Sequence, residues 1–98
     1  MKCLTALILS MAAITAHADE ALLKKNNCMA CHAVDKKVVG PAYKDVAAKY
    51  KGQAVGDRLA AKIRAGGSGV WGTMPMPANA QVSEADAKKM AAWILNVK

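Results

Sequence analysis

Cys28-Met29-Ala30-Cys31-His32 is the stretch on which the reading of this chain turns. Its spacing, C-x-x-C-H, is the pattern by which a c-type haem is attached. Two thiols separated by two residues can bond to the two vinyl-derived carbons on one edge of a porphyrin. The next residue is then held under the iron, where histidine offers a neutral imidazole nitrogen. The cysteine pair alone has other meanings, because thiol–disulfide enzymes and half-zinc sites share it. The histidine that follows narrows the choice.

Upstream of the motif the chain does not read as part of a fold. Lys2 is followed by an apolar stretch from Leu4 to Ile14, and Ala16-His17-Ala18 fits the small-x-small cleavage site of a secretory signal peptide. The apolar stretch is shorter than the ~20 residues needed to span a bilayer. The expected organisation is therefore a removable signal peptide over 1–18 and a single domain over 19–98, exported to an oxidising compartment such as a bacterial periplasm. Cys3 and His17 leave with the leader, so Cys28, Cys31 and His32 become the only cysteines and histidine. Two cysteines and one histidine build neither a disulfide framework nor a four-ligand zinc site without carboxylate help.

A domain this short buries a limited share of its surface and usually needs a staple or a cofactor. Phe is absent, and the aromatic side chains are only Tyr43, Tyr50, Trp71 and Trp93. A covalently bound porphyrin would supply the missing apolar body. Without the leader, 13 basic side chains face seven acidic ones, a net charge of +6, of which haem propionates would offset up to two. Such a surface favours acidic proteins or anionic membrane through steering. Nucleic acid is not expected as a partner, since no aromatic–basic stripe appears and export removes the protein from it.

Along the domain, residues 19 to about 27 read as a first helix, with Asp19 and Glu20 at its N-terminus and Lys24 and Lys25 further on. Residues 33–39 read as a loop. Gly40-Pro41 is a turn, and the Pro41 carbonyl is free to accept the second ring N–H of a ligating histidine; a plain turn proline is an equal reading. Tyr43, Val46, Ala47 and Tyr50 recur at helical spacing, and a third helix is expected from about Val55 to Ala65, stopped by Gly66-Gly67-Ser68-Gly69. The last helix starts at Ser83, with Asp86 three residues on, and carries an apolar stripe of Ala87, Met90, Ala91, Ile94 and Val97.

The second informative stretch is Val-Trp-Gly-Thr-Met-Pro-Met-Pro-Ala-Asn, residues 70–79. Its prolines exclude a regular helix and push Met74 and Met76 out of the α region, so the segment is expected to be extended and stiff. Thioether sulfur is a soft ligand for haem iron. Spacing alone does not choose between the two methionines.

Four stretches in order, Cys-Met-Ala-Cys-His, Val-Val-Gly-Pro-Ala-Tyr-Lys-Asp-Val-Ala-Ala-Lys-Tyr, Gly-Val-Trp-Gly-Thr-Met-Pro-Met-Pro-Ala-Asn and Ala-Ala-Trp-Ile-Leu, cover most of 20–98. In these the chain resembles small bacterial class I cytochromes c of the c-551/c-552 type. The resemblance implies an all-α cytochrome c fold, about four helices around one haem c, with the N- and C-terminal helices crossing. It implies thioether bonds at Cys28 and Cys31 and axial ligation by His32 and Met76, while Met74 falls where the family is apolar and variable. It further implies that the Pro41 carbonyl receives the histidine N–H, that Trp71 and Lys62 meet a propionate, and that Asn79 touches the axial methionine. Relatives often have Arg where this chain has Lys62, which leaves Arg64 as a substitute.

The implied function is a soluble, monomeric, periplasmic single-electron carrier, not an enzyme. Its donor would be a quinol-oxidising complex and its acceptor a terminal oxidase, nitrite reductase or peroxidase. Two other classes compete with it. A haem enzyme or gas sensor needs an open iron position and polar distal groups, which Met-Pro-Met-Pro does not offer. A thiol redox module usually sits where a strand meets a helix in an α/β fold, and little strand pattern is present.

Overall fold

The computed structural model describes residues 19–98; the signal-peptide reading of 1–18, with Cys3 and His17, lies outside them. The order is a helix over 19–25 (α1), a single 3-10 turn at Cys28–Ala30, α2 at Tyr43–Lys49, α3 at Gly56–Ala65, a hairpin of β1 (Gly67–Gly69) and β2 (Gly72–Met76), and α4 at Glu84–Leu95.

Helix α4 is the axis of the packing. Ala87, Met90, Ala91 and Ile94 fall at i, i+3, i+4 and i+7, one face of a 3.6-residue helix, and all four are buried. The two alanines at 0 % exposure let neighbouring helices approach closely, and α3 and α2 are the elements packed against it. Leu23 from α1, Tyr43, Val46 and Tyr50 around α2, and Ala60 and Ile63 from α3 complete one cluster. Each large aliphatic side chain so buried contributes about 1.5–3 kcal/mol. The Ser83 hydroxyl accepts from the Asp86 backbone N–H at 3.0 Å, satisfying one of the donors that a helix start leaves unpaired.

Three expectations are corrected. The first helix ends at residue 25, because Asn27 takes a left-handed conformation (φ 62°), which a short polar side chain tolerates and a continuing helix does not. Val97 lies beyond the end of α4 and packs on the core from the C-terminal tail. The glycine run after α3 does more than stop it: Gly67–Gly69 forms a strand paired antiparallel to β2, in the register Gly67 with Met76 and Gly69 with Gly72. Pro75 sits inside β2, which a two-stranded edge tolerates.

Candidate metal centre

The motif is wound as one helical turn. Cys31 N–H and His32 N–H both donate to the Cys28 carbonyl, at 3.2 and 3.0 Å. Positions i, i+3 and i+4 of such a turn share a face, so Cys28, Cys31 and His32 are presented to one side. That side is the wall of a cavity of about 220 Å³. Neither cysteine is in a disulfide.

The segment after the motif folds back and closes round it. Val39 and Gly40 donate to the Cys31 carbonyl at 3.1 and 2.7 Å. Helix α2 has no side-chain cap; its Tyr43 and Lys44 amides donate instead to Ala33 and Val34, at 3.0 and 2.9 Å. These bonds fasten the start of α2 beside the histidine. His32 Nδ1 then lies 2.8 Å from the Pro41 carbonyl oxygen. A carbonyl only accepts, so this bond places the proton on Nδ1 and leaves Nε2 as the lone-pair nitrogen.

The hairpin supplies another wall. Met74 and Met76 are two apart in β2, so both fall on one face of the strand, and both line the cavity, Met74 exposed and Met76 half-buried. Beyond β2 the chain is tied to the end of α3. The Asn79 backbone N–H donates to the Ile63 and Arg64 carbonyls at 3.2 and 3.1 Å, and its side-chain amide to Ile63 at 3.1 Å. One asparagine thus caps the unpaired carbonyls of α3 while bordering the cavity. Gly66 packs under the same segment: a Cβ there would meet the Met76 carbonyl oxygen and the Ala78 amide.

Cys28, Cys31, His32, Pro41, Lys62, Trp71, Met76 and Asn79 are therefore gathered round one cavity, and Arg64 is not among its lining. Arg64 Nε donates to the Val82 carbonyl at 2.9 Å, turned to the C-terminal segment, whereas Lys62 Nζ lies over Gly67 at the cavity wall. Two neighbours of the site were not singled out by sequence. Tyr43, placed there only as a helix position, stacks on the His32 ring at 4.9 Å between centroids and 18° between planes. Lys49 Nζ stands 5.7 Å from the Trp71 ring and 5.7 Å from the Tyr50 ring, near enough for a cation–π contact that links α2 to the hairpin tip. No local pattern announces either contact.

Burial raises the Cys28 thiol above its ordinary range, a hydrogen bond to its backbone and one from Tyr43 working the other way. Burial also pushes the Tyr43 phenol far up, with the neighbouring Cys28 adding in the same direction. Among the described residues, no group of three or more His, Cys, Asp or Glu gathers to hold a metal ion, which leaves the half-zinc reading without partners. The donor set instead fits a porphyrin: two unpaired thiols at thioether spacing, an imidazole with Nε2 free, thioether sulfur on a second wall and a lining rich in apolar side chains.

This arrangement defines a protein built to hold one covalently attached haem. The comparisons with known proteins agree. The family model for cytochrome c matches residues 20–98. The cytochrome c-552 of Nitrosomonas europaea is 60 % identical over 84 residues, 85 % of this chain and 82 % of that protein. The cytochrome c-552 of Hydrogenobacter thermophilus is 52 % identical over 99 residues, 99 % of this chain and 98 % of that one. The crystal structure of wild-type Nitrosomonas europaea cytochrome c552 superposes with a TM-score of 0.77 at 59 % identity, covering 81 % of this chain and 99 % of that one. The chain belongs to the cytochrome c family, as a small class I member of the c-551/c-552 type. It is an electron carrier with one covalently bound c-type haem, not an enzyme.

Proposed function

We propose that this protein is a soluble periplasmic carrier of single electrons, exported by a leader removed after Ala18, in which Cys28 and Cys31 hold the haem and His32 and Met76 are its axial ligands. The observation that carries the reading is the 2.8 Å approach of His32 Nδ1 to the Pro41 carbonyl, which leaves Nε2 as the donor on the same wall as the two thiols. Haem iron held in this way supplies a one-electron couple between its ferrous and ferric states. With His32 and Met76 both given to the iron, no position would be left for a substrate and little would reorganise on electron gain. A Met/His pair also raises the reduction potential relative to harder donors.

The remaining residues act by holding and shielding. Pro41 orients the imidazole through its carbonyl. Trp71 and Lys62, both at the cavity wall, offer an indole N–H and an ammonium to the propionates. Asn79 steadies the backbone just after Met76. Exposed lysines steer acidic partners to the haem edge; the family resemblance suggests a quinol-oxidising complex as donor and a terminal oxidase, nitrite reductase or peroxidase as acceptor, with the carrier acting as a monomer. Among the described residues no helix is long and apolar enough to cross a membrane.

The ligand assignment is tested by absorption and magnetic circular dichroism of the mature protein. Met76→Ala is expected to abolish the weak red iron–thioether band, whereas Met74→Ala keeps it. Loss of the band in Met74→Ala alone would assign the ligand to the other methionine. Intact mass of the mature protein checks the cleavage site and the two thioethers together.

A further inference from the structure

We infer that Gly40 and Tyr43 are positioning residues that set the rotational orientation of the His32 ring; the inference rests on His32 being the axial ligand proposed above. The bond to Pro41 draws the ring toward one setting, because Nδ1 lies off the Cβ–Cγ axis, but one hydrogen bond on a soft terminal torsion holds that setting loosely. Packing on the ring faces must narrow the plane further. Tyr43 does so by stacking, its ring only 18° from parallel at 4.9 Å. It is an immobile platform: 3 % exposed, and itself held edge-on by Trp93 at 6.1 Å and 89°.

Gly40 limits the ring by having no side chain. A Cβ built there would stand 2.5 Å from His32 Cε1, 2.9 Å from Nδ1 and 3.0 Å from Nε2. Those near-equal distances to both nitrogens are too short for an atom beyond the ring's edge, and place it over the ring face near Cε1. The backbone does not demand glycine, since Gly40 is absent from the positive-φ positions, which include Gly66, Gly67, Gly69 and Gly72. Space for the imidazole is the reason left. An added methyl has only one soft way to be relieved, which is to turn the ring; the backbone on either side is held by Gly40 N–H to Cys31 and by the Pro41 contact.

Ring orientation matters because it decides how the imidazole π system overlaps the iron d orbitals. In a low-spin ferric centre that overlap sets the spread of the g-values, which fold stability alone does not move. The experiment is electron paramagnetic resonance of the ferric holoprotein in Gly40→Ala, Tyr43→Leu and Tyr43→Phe. Gly40→Ala and Tyr43→Leu are expected to shift the g-value spread beyond the wild-type linewidth. Tyr43→Phe, which keeps the stacked ring, is expected to retain the wild-type values. Wild-type g-values in both Gly40→Ala and Tyr43→Leu would overturn the inference. Should those variants not fold, proton NMR of the ferrous wild type decides: cross-relaxation from Gly40 Hα and from the Tyr43 ring to His32 Hε1 is expected, and its absence overturns the inference. A high-spin ferric signal in the wild type would instead sink the axial-ligand reading, and this inference with it.

Discussion

His32 sits among groups that constrain it from several directions, and Tyr43 shows how one residue can serve site and core together. Its phenol is buried, stacked on the imidazole, and held neutral by desolvation, with its pKa pushed far above the ordinary ~10 of tyrosine. A group whose folded-state value is raised stabilises the fold fully below its unfolded value, and that stability is lost as pH climbs toward the folded one. Wild-type stability should therefore lose this contribution as pH rises above about 10. Tyr43→Phe lacks the titrating group, so the gap between the two urea midpoints should change over that range. Parallel midpoints would show that Tyr43 does not carry the effect. Because burial is its first cause, the effect persists once Cys28 is in a thioether. The Pro41 contact differs in kind, since it runs through a main-chain carbonyl that any residue at position 41 would provide.

At the scale of elements, two ends carry most of the responsibility. Helix α4 begins at a satisfied cap, and Ser83→Ala should lower stability by about 1 kcal/mol, read as a shifted urea midpoint with an unchanged haem spectrum. The junction of α3 with the hairpin behaves otherwise. Gly66 has φ 71° and lies against the chain at Met76–Ala78, so Gly66→Ala suffers both backbone strain and a collision with the segment that presents Met76. Its expected signature is a weakened iron–thioether band together with reduced stability, and a fall in stability with the band intact would contradict that coupling. The hairpin is not legible in the sequence because Gly-Ser-Gly has no strand propensity of its own. It forms because Gly66 turns the chain back and β2, stiffened by Pro75, lies alongside to accept it.

Over the whole molecule, a small helical core centred on α4 leaves the cavity at the junction of the motif, α2 and the hairpin. The surface is basic, and the ion pair between exposed Lys24 and half-buried Glu20, at 3.6 Å, is the single one among the described residues. The positive field is thus screened by salt rather than by internal pairing, over about 8 Å at physiological ionic strength. Electron exchange with a small anionic metal complex should slow as salt is added, and exchange with a cationic complex should quicken. Equal slopes in stopped-flow measurements would refute steering by net charge. Sequence by itself determined the spacing of Cys28, Cys31 and His32, the helical stripes and the capped start of α4, because these depend on covalent spacing and on the 3.6-residue period. Its family pattern is also what points to Met76 over Met74 as the ligand proposed above. Tertiary structure alone decided that Lys62 and not Arg64 borders the cavity, since Arg64 finds a carbonyl 18 residues away at Val82. It alone revealed the Tyr43 platform and the space at Gly40, since a side chain's rotamer and partners are set by what the folded chain brings beside it.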